Sequence, residues 1–212
     1  MLINQTGRIA EHLDLLGDAA TPFYLVRGGE KWALVDAAVA PMVPELVKQL
    51  KAYPEAGQRL GYFLITHSHF DHVGALETLA AKTGASVYAH REEIGELAGC
   101  AARATEEGSE IRVGRITITC MHTPGHTRGS QCFIAGRAIF TGDTLFIDGC
   151  GRVDLPGSDP AQMVASLARL ATLDPAIVVY PGHDYGGSPA ATIGELLRSN
   201  PYLSATSEEA LL

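Results

Sequence analysis

The chain has 212 residues, 46% hydrophobic and 19% charged, a balance that excludes disorder and suits a globular core. The 24 acidic residues against 16 basic ones give a net charge of −8 without a Lys/Arg run, so a nucleic-acid surface is not expected. No apolar run approaches the ~20 residues that span a bilayer, and acidic Glu11 and Asp14 stand where a signal peptide would be basic or apolar, so a cytoplasmic compartment without membrane contact is expected.

In chain order, "TPFYLV" and "KWALVDA" are short apolar runs separated by "RGGE" and predict a β-hairpin. "PMVPELVKQLKA" predicts a helix from Pro41 to about Ala52. "GYFLIT" reads as a buried strand that runs directly into "HSHFDH". The segment "HVGALETLAAKTG" predicts one helix, with Val73, Leu76, Leu79 and Ala80 on a common face and Gly84 as its stop. "ASVYAH" predicts a strand and "REEIGELAG" a further helix. "RITITCM" alternates as a half-buried strand and enters the turn-forming "HTPGHTRGS". "QCFIAG" and "RAIFTGD" form a second hairpin, followed by the loop "TLFIDGCGRVDLPGSD". A helix over "PAQMVASLARLATL", a strand "AIVVY", the turn "PGHDYGG" and a helix near "ATIGELLRSN" complete the order. Strands alternating with helices, with a hairpin near the start of each half, predict an α/β (α+β) domain of two mixed sheets packed face to face with helices outside. No linker or internal repeat divides the chain, so one domain over 1–212 is expected.

Four strand-to-loop junctions end in residues able to ligate a metal: "ITHSHFDH", "HTPGHT", "FTGDT" and "VYPGHDY". Rigid strand ends let side chains from separate segments converge with little reorganisation. His67 and His69, at i and i+2 of an extended segment, leave it on one side and can grip one ion. Asp71 and His72 begin the next helix and can face a second ion nearby. His126, Asp143 and His183 each follow another strand. Imidazole and carboxylate donors suit zinc, and also iron or manganese. Cys100, Cys120, Cys132 and Cys150 form no CxxC pair and read as reduced, packed thiols. His12 and His90 read as incidental, His122 as a packing or supporting histidine, and Asp36 as a residue orienting the metal loop.

His67, His69, Asp71, His72, His126, Asp143 and His183 together resemble the seven-ligand signature of the metallo-β-lactamase superfamily. The resemblance runs from "WALVDA" to "GELLRSNPYL" and implies a four-layer αββα sandwich with a dinuclear site at one edge of the sheets. It implies further that His67, His69 and His126 hold one ion, that Asp71, His72 and His183 hold the other, and that Asp143 bridges them. Zinc is the expected metal, with iron or manganese also compatible.

Within the superfamily, "GDTLF" followed by "GCGR" resembles glyoxalase II, the hydroxyacylglutathione hydrolases, and equally the persulfide dioxygenases, which share an aspartate at the place of Asp154. Zinc β-lactamases of the commonest type carry cysteine in place of Asp143, flavodiiron reductases carry glutamate in place of His69, and the RNA-processing branch is larger. Two departures matter. Glyoxalase II carries an aromatic residue at the position of Asp154 and a helical C-terminal domain for glutathione, whereas 29 residues follow His183 here. Persulfide dioxygenases usually carry alanine where this chain has Phe70. The resemblance therefore implies a metal-dependent hydrolase of a small thioester or related activated acyl bond, attacked by a metal-bridging hydroxide that Asp71 orients. Iron-dependent persulfide dioxygenation, or lactone hydrolysis, is the alternative. Arg152 and Tyr185 match positions that resemble thiol-substrate contacts, so a small thiol-derived molecule is the expected partner.

Overall fold

Apolar strands that bury both faces read as continuous hydrophobic runs, and β3 (Pro22–Arg27) and β4 (Trp32–Val35) show why. Tyr24, Val26, Ala33 and Val35 point between two sheets, while Phe23, Leu25, Trp32 and Leu34 point toward helices on the other side. The computed structural model describes residues 7–17, 22–51, 53, 59–97, 99–185, 188–205 and 207–211. Thr21, Ala52, Ala98, Gly186 and Gly187, at the ends of predicted elements, lie outside the described residues.

The first sheet runs β1 (Gly7–Ala10), β2 (Leu13–Gly17), β3, β4, β5 (Leu60–Leu64), β6 (Ser86–His90) and β7 (Ala102–Thr105), in that spatial order. Its early strands pair antiparallel, and β4 to β7 pair parallel. The second sheet has the order β13 (Ala191–Thr192), β12 (Val178–Pro181), β11 (Ala138–Gly142), β10 (Gln131–Ala135), β9 (Ile116–His122), β8 (Glu110–Val113), with β11 and β12 as its parallel pair. Between the sheets lie Leu13, Leu15, Tyr24, Leu64, Phe133 and Phe140 among others. On the outer face of the first sheet, α1 (Val43–Lys51) and α3 (Leu76–Thr83) bury Leu46, Leu50, Leu76 and Leu79 against Phe63. On that of the second, α4 (Pro160–Ala171) and α5 (Ile193–Ser199) bury Met163, Leu167, Leu170 and Leu196 against Ile139 and Val179. The αββα layering expected from the sequence is the architecture observed. No helix among the described residues is long and apolar enough to cross a membrane.

Three expectations need correction. The predicted helix 72–84 is two helices, α2 (Phe70–Val73) and α3. The Ala75 amide donates to Ala37 and Ala38 carbonyls instead of closing a helical turn, because the loop after β4 crosses at this point. Gly74 permits that crossing: a Cβ there would lie 2.7 Å from the Ala40 nitrogen. The predicted helix 91–99 reduces to a 3-10 turn, Ile94–Glu96, since the Glu93 side chain turns inward and Gly99 takes a φ of 85°. β1, β2, β7 and β8 have no counterpart in the predicted elements. β1, β7 and β8 are four-residue segments, too brief for alternation to reveal, and β2 is buried throughout with Asp14 interrupting its apolar run.

Phe133 is fully buried in the slab between the sheets. Phe133→Ala should cost about 3–5 kcal/mol through lost burial and a cavity that rigid sheets fill poorly. Urea unfolding followed by circular dichroism checks this, and a cost below ~1 kcal/mol would show that the sheets close over the gap.

Candidate metal centre

All four sequence-identified junctions open on the same edge of the sandwich. His67 and His69 follow β5, Asp71 and His72 lie on α2, His126 follows β9, Asp143 directly follows β11, and His183 follows β12. The structure brings the seven residues together. Donor atoms of His67, His69 and His126 lie within 4.8 Å of one another, as do those of Asp71, His72 and His183, and those of His67, His72 and Asp143. Asp143 lies between the sets: Oδ1 is 3.2 Å from His72 Nε2, and Oδ2 is 3.5 Å from His183 Nε2 and 3.6 Å from His126 Nε2.

Hydrogen bonds behind the cluster fix which ring nitrogen faces it. His126 Nδ1 donates to the Arg152 carbonyl at 2.8 Å, which directs Nε2 inward. His72 Nδ1 bonds Asp36 Oδ2 at 2.9 Å, and its Nε2 faces His183 Nε2 at 3.2 Å. The Thr66 hydroxyl donates to the Asp36 carboxylate and therefore accepts from His67 Nδ1 at 3.1 Å. His67 Nε2 is left as a lone pair aimed into the site, and it and Asp143 Oδ1 are buried without a hydrogen-bond partner. Lone pairs converging in a buried space are costly unless a cation satisfies them. The donor set and these two orphaned atoms fit divalent metal ions.

The electrostatics agree. Burial, then the imidazoles of His72, His126 and His69, push the His67 ring well below its ordinary range. His69 is lowered by burial and by His126. Burial opposes charge on His72, but Asp143 and Asp36 outweigh it and raise that ring. Burial likewise opposes charge on Asp71, yet its hydrogen bond with His183 and the nearby His72 bring it down to about 2. Asp71 is thus an acceptor at neutral pH, and neutral His67 and His69 are in the form that ligates.

Beside the cluster opens a cavity of about 1120 Å³, whose lining includes Arg152, Asp154, Phe146 and Tyr185. The Arg152 guanidinium is gripped by both Asp154 oxygens at 2.9 and 2.8 Å. Tyr185, 71% exposed, stacks on His183 and meets Phe146 edge-on. Phe70 is 77% exposed at the rim. Cys150 also lines the cavity, but burial pushes its thiol up to about 11, so it is no nucleophile at neutral pH. The four cysteines are free thiols, as expected.

Asp36 orients the site as its strand-end position suggested. His122 packs: its ring stacks on His90 with centroids 3.9 Å apart, and its Nε2 donates to the Arg128 carbonyl. Glu93 escaped the sequence reading. It is buried, and its carboxylate accepts hydrogen bonds from Ser68, Thr127 and Gly129, which neighbour His67, His69 and His126. Its segment read as a helix, and only burial reveals it. Gln131 was missed for the same reason. It bonds the Ile65 and Thr66 carbonyls and so joins the second sheet to the strand end that carries His67.

The model of the metallo-beta-lactamase superfamily matches residues 16–183. The chain is 34% identical over 168 residues to the probable polyketide biosynthesis zinc-dependent hydrolase PksB of Bacillus subtilis (strain 168), covering 78% of this chain and 75% of that protein. It is 36% identical over 211 residues to the hydroxyacylglutathione hydrolase of Acidiphilium cryptum (strain JF-5), covering 99% and 82%. The crystal structure of ETHE1 from Myxococcus xanthus superposes with a TM-score of 0.81 at 33% identity, over 94% of this chain and 87% of that one.

Because Asp143 faces both ligand sets, Asp143→Ala is expected to weaken metal binding by both. Metal analysis by plasma mass spectrometry after dialysis reads this directly. Retention of the unaltered protein's metal content would place Asp143 outside the centre.

Proposed function

The chain belongs to the metallo-β-lactamase superfamily, and on that premise we propose that it hydrolyses a small thioester or a related activated acyl bond of a thiol-derived molecule. The observation that carries this reading is the convergence of His67, His69, Asp71, His72, His126, Asp143 and His183 beside an open cavity. The similarity to a hydroxyacylglutathione hydrolase and to a zinc-dependent hydrolase supports it. Two divalent ions, zinc by preference and iron or manganese as alternatives, would be held by the two ligand sets with Asp143 between them, and would supply hydroxide at neutral pH and polarise the acyl carbonyl.

The side chains supply the rest. Asp71, ionised and half-buried, accepts a hydrogen bond from the attacking hydroxide and orients its lone pair toward the acyl carbon. A thiol leaving group has a pKa of ~8.5, so it departs as thiolate without a strong general acid. Phe146 and Tyr185 wall the cavity beside His183. Arg152 and Tyr185 are proposed to contact the substrate, Arg152 through an anionic group that competes with Asp154 for its guanidinium. The likeness to ETHE1, together with Asp154 two residues after Arg152, favours the second reading, iron-dependent oxidation of a small persulfide. Lactone hydrolysis falls under the first.

Zinc-loaded protein should hydrolyse S-lactoylglutathione or another small thioester, and a chelator should abolish the rate. A loaded protein that cleaves no thioester or lactone, yet consumes oxygen with glutathione persulfide, would replace this reading by the second. Arg152→Ala should raise KM for an anionic thioester several-fold with little change in kcat, as loss of uniform binding requires. Steady-state kinetics decide, and an unchanged KM would make Arg152 a surface residue.

A further inference from the structure

Glu93 is 3% exposed, and no salt bridge joins it among the described residues. Its Oε2 accepts from the Ser68 amide at 2.8 Å and from the Ser68 hydroxyl. Its Oε1 accepts from the Thr127 hydroxyl at 2.8 Å and the Gly129 amide at 2.7 Å. Ser68 stands between His67 and His69, and Thr127 follows His126. One carboxylate therefore ties the first-sheet loop that carries two histidines to the second-sheet loop that carries the third. Gly129 is part of the fit, since a Cβ there would lie 2.6 Å from Glu93 Cγ. Asp36 serves the opposite half: it binds His72 directly, and reaches His67 only through Thr66.

We propose that Glu93 is a positioning residue that locks the two loops of the His67/His69/His126 set and so sets the affinity of that set for its ion. The proposal rests on the metal-centre reading but on neither choice of substrate. Burying a carboxylate is costly, and here each of its four hydrogen bonds comes from a ligand loop, so its stabilisation is spent on holding those loops. Partners behind metal ligands typically change metal affinity by about 10–100-fold when removed. Glutamine shows why the charge matters. It retains one oxygen, so its NH₂ must face either the Ser68 or the Gly129 N–H, donor against donor, and one loop is released.

The test measures zinc affinity by competition with a chromophoric chelator, without substrate, in two backgrounds. His183→Ala leaves the three-histidine set whole, and His69→Ala leaves the Asp71/His72/His183 set whole. Adding Glu93→Gln should weaken zinc binding at least tenfold in the first background and less than twofold in the second. Equal losses in both backgrounds would mean a general packing role, and no loss in the first would mean no role; either overturns the proposal. If Glu93→Gln does not fold, Ser68→Ala and Thr127→Val each remove one hydroxyl arm. Each should weaken the three-histidine set a few-fold and spare the other, and unchanged affinity would again overturn it. A protein inactive on every thioester leaves this test intact, and a Glu93 without effect leaves turnover untouched, so the two ideas fail separately.

Discussion

The carboxylate of Asp36 is the constraint from which the site and its surroundings follow. It sits at the end of β4 with a φ of 60°, a left-handed conformation unfavourable for a residue with a side chain. In exchange it accepts from the Thr66 amide, the Thr66 hydroxyl and His72 Nδ1. The bend throws the next residues under α2, where the Ala37 amide reaches the His72 carbonyl and the Ala37 and Ala38 carbonyls meet the Ala75 amide. The break between α2 and α3, the tautomer of His72 and the lone pair on His67 are three results of that bend.

Close backbone approach does from the second sheet what Asp36 does from the first. A Cβ on Gly142 would lie 2.5 Å from the Thr66 hydroxyl, and one on Gly182 would lie 2.5 Å from Asp143 Oδ1. The strand ends of the two sheets touch where the ligands emerge, leaving no room for side chains other than donors. The charges arranged there oppose one another over short distances. His72 is raised by two carboxylates and His67 lowered by burial and its neighbours, within a ring-centroid separation of 4.1 Å. Such a cluster is balanced by cations and strained without them.

The sheets' apolar runs and the ligand-bearing junctions were legible because both are local patterns: a run such as "TPFYLV" marks a strand, and "HSHFDH" is dense enough to be specific. What stayed hidden depends on contacts between distant segments. Nothing near Glu93 in the chain shows that its carboxylate meets Ser68 and Gly129, and "REEIGELAG" has a helix-forming composition that tertiary hydrogen bonding overrides. "HVGALETLAAKTG" kept its helical face but not its continuity, for the break is imposed by the loop after β4. The short strands β1, β7 and β8 are held by neighbours' ladders more than by their own residues.

The division of ligands between the sheets also bears on how the molecule is made. His67, His69, Asp71 and His72 belong to the first sheet's edge, while His126, Asp143 and His183 leave the second. During synthesis the first four emerge well before the last, so a nascent chain holds only a fragment of the centre until β12 has docked on β11. Pairings this distant in sequence close slowly. Completion of the Asp71/His72/His183 set is thereby a late event in folding, and a chain truncated before residue 183 would present the three-histidine set without its neighbour.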